Sequence, residues 1–187
     1  MTAPLSYPEE TTNLLTEQGF TTSNLWYHGT SSALVDSILE QGLLGSGDTA
    51  FMAVAKKTMA TLGDQYSETK EPVFLTPSKA LAYYWAEQTV KKRRVRFEGE
   101  EKPVVLEITL PEDLNQKVRS DVGAASLLLL EEGEHYLAYL AGLYQAQGLE
   151  LPIIDLMKAE RSAYLKQLGM AYIEADLPAS CIRLVNL

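Results

Sequence analysis

The feature that most constrains this fold is a strand that runs directly into a helix near the start of the chain. Leu25, Trp26 and Tyr27 are branched or aromatic and suit a pleated strand. Thr30, Ser31 and Ser32 are each able to cap a helix, and Leu34, Val35, Ile38 and Leu39 then recur at helical spacing. Gly42 stands where a C-terminal stop belongs. The pattern predicts a strand ending at His28-Gly29 and a helix over Ser31–Gln41. Such a junction collects backbone N–H groups at the positive end of a helix dipole, a natural place to hold a ligand. Taken alone, the His-Gly pair also has a plainer reading, a histidine closing a strand end and a glycine in a turn.

The rest of the chain is read around that unit. Met1–Tyr7 reads as a loose arm, and Thr11–Gln18 as a short helix stopped by Gly19. Gly42–Asp48 is a glycine-rich loop without the Lys-Ser/Thr ending of a phosphate-binding loop, so it reads as a surface connection. Thr49–Leu62 has a broad apolar helical face, and Gly63–Lys70 reads as loop. Glu71–Leu75 reads as a short buried strand. Thr76-Pro77 then enters a helix to about Val90, with Ala80, Leu81, Tyr84 and Trp85 on its apolar stripe and Tyr83 beside it. Lys91–Arg96 and the polar residues after it read as a connection. Val104–Leu110 is the clearest strand, ended by Pro111. From there to Leu168 the pattern is mostly helical, and two strands, Met170–Ala175 and Ile182–Leu187, close the sequence. The expectation is one α+β domain over 1–187, with a helical insertion at about 112–168.

Composition narrows the function. With 187 residues, 46% hydrophobic and 22% charged, the chain has the make-up of an ordinary globular protein. A net charge of -9 argues against a broad phosphate-binding surface and against docking on anionic membranes. One cysteine, Cys181, and two histidines leave little for a disulfide or a metal cluster, so no metal is expected. No secretory signal is visible in Met1–Glu10, and the most apolar run, Ala124–Leu130, is too short to span a bilayer. A cytoplasmic location is expected.

The order Tyr27-His28-Gly29-Thr30, then Ile38–Leu43, then Val73-Phe74-Leu75-Thr76 with Ser78–Tyr83, resembles the ADP-ribosyltransferase superfamily. It is most similar to the branch with a His-Tyr-Glu triad, which includes the poly(ADP-ribose) polymerases and diphtheria-toxin-like proteins. The resemblance covers about half of the chain and lies in the order and spacing of short motifs. It implies a split, mostly antiparallel mixed β-sheet, with His28 and Tyr83 lining one cleft and the 112–168 helices packed outside. It also implies NAD as substrate and transfer of ADP-ribose to a macromolecular acceptor, protein or nucleic acid, or hydrolysis of NAD.

Carried over residue by residue, the resemblance has His28 donating a hydrogen bond to the adenosine-side ribose. Gly29 brings its backbone close to the nicotinamide carboxamide, Thr30 adds a hydroxyl and Tyr83 stacks on the nicotinamide. Phe74 falls where the family's triad tyrosine lies, and Ala80 where many members carry serine. The family's glutamate would fall near Met170 or Ala171, and this sequence has none there. Glu174 is the nearest acid on that strand, either the catalytic carboxylate or a solvent-facing residue, and Glu160 is a second candidate. These departures keep open a catalytically inactive module of the same fold, for NAD sensing or protein binding. A third reading is a relative of the RNA 2′-phosphotransferases, which expects more basic residues around the cleft than Lys91–Arg96. His135 reads as a surface helix residue.

Overall fold

The computed structural model describes residues 6–45, 71–155 and 157–185. The expected Thr49–Leu62 helix, the loop after it and the start of the N-terminal arm lie outside them. In chain order the elements are α1 (Ser6–Leu14), β1 (Leu15–Thr16), β2 (Gly19–Phe20), β3 (Leu25–Ser31), α2 (Val35–Gln41) and β4 (Val73–Leu75). Then follow α3 (Lys79–Arg94), β5 (Pro103–Thr109), α4 (Glu112–Asn115), β6 (Arg119–Ser120), α5 (Glu131–Ala146), α6 (Arg161–Leu168), β7 (Ala171–Ile173) and β8 (Ile182–Leu184). Short 3-10 turns cover Ser32–Leu34, Val122–Leu128 and Ala179–Cys181. Helices and small sheets make this an α+β protein.

The strands form two three-stranded sheets, β3-β5-β8 and β4-β7-β6, and a β1-β2 hairpin. Every strand pairing among the described residues is antiparallel, in keeping with the mostly antiparallel part of the expectation, and no parallel pair among them makes the sheet mixed. β3 pairs with β5 along its whole length, from Leu25↔Thr109 to Ser31↔Pro103. The two larger sheets meet at one bridge, where Tyr27 and Thr76 exchange backbone bonds of 2.8 and 3.0 Å. The closing strands are not a pair: β7 is the centre of one sheet and β8 an edge of the other.

Alternation along β3 sends its side chains into two cores. Tyr27 joins Leu81, Tyr83, Tyr84, Val105, Tyr136, Leu140 and Tyr144 in the first. Trp26 joins Leu106, Ile108 and Ile182 in the second, with Val73, Leu75, Ala171 and Ile173 from the other sheet. Tyr136, Leu140 and Tyr144 are fully buried, so α5 is a core element rather than an outer layer, and the Tyr136 hydroxyl donates to the Leu168 carbonyl. The 112–168 region also supplies a strand, β6, which pairs with β7 through Arg119↔Tyr172 and Ser120↔Ala171.

Local chemistry moves several boundaries. α1 begins at Ser6 and ends at Leu14, because the Thr16 hydroxyl accepts from Gln18 N–H and donates to Gly19 O, building a turn. Ser78, not Thr76, caps α3: its hydroxyl accepts from Leu81 N–H and lies 3.0 Å from the Thr11 hydroxyl. α3 runs on to Arg94, so Lys91–Arg94 form its last turn, where cations oppose the negative end of the helix dipole. Arg93 is buried there and donates to both Glu101 oxygens, while Ser31 donates to Glu101 Oε2, which ties the end of α3 to the end of β3.

Candidate functional site

Gly29 and α3 explain why a cleft forms at all. A Cβ on Gly29 would lie 1.9 Å from Ala82 O and 2.6 Å from Ala86 N. Ala82 and Ala86 are one turn apart, so two small side chains and a missing one let helix backbone ride directly on strand backbone. That is the reason for glycine at position 29. The space a side chain would take is filled by α3, and Gly29 also borders both cavities of the groove.

His28 stands where β3 meets β4. Its Nδ1 lies 2.8 Å from the Phe74 carbonyl oxygen. A carbonyl only accepts, so Nδ1 carries the proton and the neutral ring presents Nε2 as an acceptor. Burial lowers the pKa of the ring, and the Phe74 carbonyl works in the opposite direction. His28 is therefore suited to take a hydrogen bond from a hydroxyl rather than to donate one.

Two cavities share this histidine. The larger, about 460 Å³, lies between the β3–β4 junction, the C-terminal half of α3, the Asp121–Leu127 turn and Met170-Ala171. The smaller, about 310 Å³, lies between β3, β4, α2 and Gly42–Gly45. His28, Gly29, Phe74 and Thr89 line both. Each is within the range of small-molecule sites. The Gly42–Gly45 wall is fastened: Leu43 exchanges backbone bonds of 2.9 and 2.8 Å with Leu177, and Gly45 N–H donates to Asp176 Oδ1.

The expected site residues divide between this groove and the core. His28, Gly29, Thr30 and Phe74 border it, Thr30 through the smaller cavity and Phe74 with 48% of its surface exposed. Tyr83 does not. It packs edge-on against Tyr7, ring centres 6.0 Å apart, and lines a separate cavity with Val104, Val105 and Leu184. Ala80 is fully buried in the first core. Both corrections have one cause, since residues 80 and 83 fall on the flank of α3 turned from the groove. Glu174 is exposed just beyond β7, next in register after Ile173↔Val73, and lines neither cavity. Glu160 is an exposed residue at the N-terminus of α6 and lines neither.

Other residues fill the larger cavity. Trp85, Gln88, Thr89 and Lys92 line it at positions i, i+3, i+4 and i+7 of α3. Asp121 lines it from the start of a 3-10 turn, and burial raises its carboxyl pKa, while the neighbouring Gly123 and Ala124 N–H groups pull it down. The helical stripe was readable from the sequence once α3 was extended past Val90. Asp121 carried no signal, because the strand before it has two residues. Among the described residues no three His, Cys, Asp or Glu side chains gather as a metal site, and no helix is long and apolar enough to cross a membrane. Comparison with family models, curated proteins and solved structures finds no match to this chain.

Proposed function

We propose that this chain binds NAD in the His28 groove as an ADP-ribosyltransferase-like protein, passing ADP-ribose to a macromolecular acceptor or to water. One observation carries the reading: His28, its ring held by the Phe74 carbonyl, stands between two connected linings where a His-Gly-Thr strand meets a Phe-Leu-Thr strand. That split between two small sheets supports the ADP-ribosyltransferase-like fold. An Nε2 acceptor suits a ribose hydroxyl, and the Gly29 backbone and the Thr30 and Thr76 positions offer further polar contacts.

A second reading is a module of the same fold that binds NAD without turning it over. It is favoured by Glu174 and Glu160, neither of which lines either cavity at His28. One experiment serves both. The protein is incubated with labelled NAD and cell lysate, and released nicotinamide and transferred label are followed beside the melting temperature. Saturation at a hundredfold excess over Kd should stabilise the fold by about 2.7 kcal/mol. His28→Ala should abolish the shift, and His135→Ala, on the exposed side of α5, should keep it. Binding with nicotinamide release supports the transferase, and binding alone supports the module. An unchanged melting temperature in millimolar NAD with no heat of binding sinks both.

A further inference from the structure

The larger cavity is built from unlike walls. α3 contributes an indole, an amide, a hydroxyl and an ammonium in one stripe: Trp85, Gln88, Thr89 and Lys92. Across the lining sits Asp121, the acidic residue among the described residues of that cavity. Its position is fixed by the sheet beneath, where Asp121 N–H donates to Met170 O at 3.0 Å, directly after the β6–β7 pairing. The side chain is half-buried, so its charge acts through a medium less screening than water. A carboxylate and an aromatic ring together favour a flat cation. An ammonium beside a hydroxyl favours an anion such as phosphate. One cavity holding both sets is complementary to a ligand of mixed charge.

We infer that Asp121 makes this cavity selective for a ligand with a flat cationic ring and a phosphate group, which among nicotinamide dinucleotides means the oxidised form over the reduced one. The choice of dinucleotide rests on the NAD reading above. The charge selectivity rests on the cavity alone. Hydride addition removes the ring's positive charge and leaves the phosphates unchanged, so the two dinucleotides differ in the group a carboxylate would sense. Asp121 also stands beside the N–H groups of Gly123 and Ala124, and a turn-forming role must be separated from a recognition role. Asp121→Asn does this, since the amide oxygen still accepts from those groups while the charge is gone.

The test is calorimetric titration of wild type, Asp121→Asn and Lys92→Met with NAD, NADH, N1-methylnicotinamide and nicotinamide. Wild type should bind NAD at least about tenfold more tightly than NADH. Asp121→Asn should melt where wild type does and bring the two dinucleotides within about twofold of each other. Lys92→Met should weaken both alike. Equal affinity of wild type for both, or an unchanged preference in Asp121→Asn, overturns the inference. If wild type binds neither dinucleotide, the NAD reading fails, and the small probes decide the inference alone. Methylnicotinamide bound by wild type and lost in Asp121→Asn upholds it, and no binding of that cation overturns it. Should Asp121→Asn fail to fold, Asp121→Ser, which keeps an acceptor oxygen without charge, takes its place under the same criteria.

Discussion

Tyr83 and Trp85 stand two residues apart on α3, yet Tyr83 is sealed against Tyr7 while Trp85 borders the His28 cavity. Two steps along a helix turn the direction of a side chain by roughly 200°, so neighbouring aromatics serve opposite sides. The Tyr83 flank meets α1 and β5. The Trp85 flank carries Gln88, Thr89 and Lys92 into open space, and the Ala82–Ala86 strip between them lies on Gly29. A likeness in motif spacing can therefore name the helix that lines a site and still name the wrong aromatic on it.

The largest expected effect that tests this contrast is on Tyr83. Tyr83→Ala empties a buried site and should lower stability by about 3–5 kcal/mol, with ligand affinity unchanged in the protein that remains folded. Trp85→Ala, at a half-buried position, should cost less stability and lose ligand affinity. Denaturant melts paired with NAD titration would break the contrast if the two variants traded these outcomes. Next comes Gly29→Ala. Its methyl group would meet helix backbone, which cannot rotate away, so α3 must retreat from β3 at a cost of about 3 kcal/mol. A loss below about 1 kcal/mol in urea melts would show that the helix is not seated as tightly as described.

The smallest effect concerns His28. Burial holds the folded ring below its ordinary pKa of 6.5, so the unfolded chain binds this proton more readily than the folded one. The stability linked to the neutral ring is complete above that value and is lost as pH falls through the lowered folded value. The stability difference between wild type and His28→Asn should be flat above about pH 7 and shift against wild type on acidification. A difference that stays level from neutral pH to well below pH 6 would mean that burial does not act on the ring.

Several parts were legible in the sequence because local signals carry them. The β3 and β5 strands follow from strand-forming runs bounded by Gly or Pro, although β3 runs past His28-Gly29 to Ser31 and α2 starts only at Val35, and Gly42 ends α2 as expected. The His28–Phe74 neighbourhood is in no local run and was implied only by the family resemblance. Other parts depend on contacts that no local pattern encodes. β6 is two residues long and exists because β7 pairs with it. Ser78 wins the capping position from Thr76 because Thr76 is already committed to Tyr27, with its hydroxyl turned to Ser78 N–H. The helical content of α5 was plain, but its place in the core was not, since Tyr136 and Tyr144 reach backbone carbonyls of α6, Leu168 and Gln167. Asp121 was invisible for the same reason as β6, and it is the residue that most changes the chemistry of the site.

β7 stands between β4 and β6 but is synthesised after both. As the chain leaves the ribosome, Val73–Leu75 and Arg119–Ser120 emerge with no strand to hold them together in that sheet, and they wait for Ala171–Ile173. Contacts this distant in sequence close slowly, since the intervening loop must surrender its freedom first. Phe74 rides on one waiting strand and Asp121 follows the other, so the two sides of the groove take up their relation late in biogenesis. Until then the Asp121 side of the groove has no sheet to set it against His28 and Phe74, and a nascent chain holds the residues of the groove without its second wall.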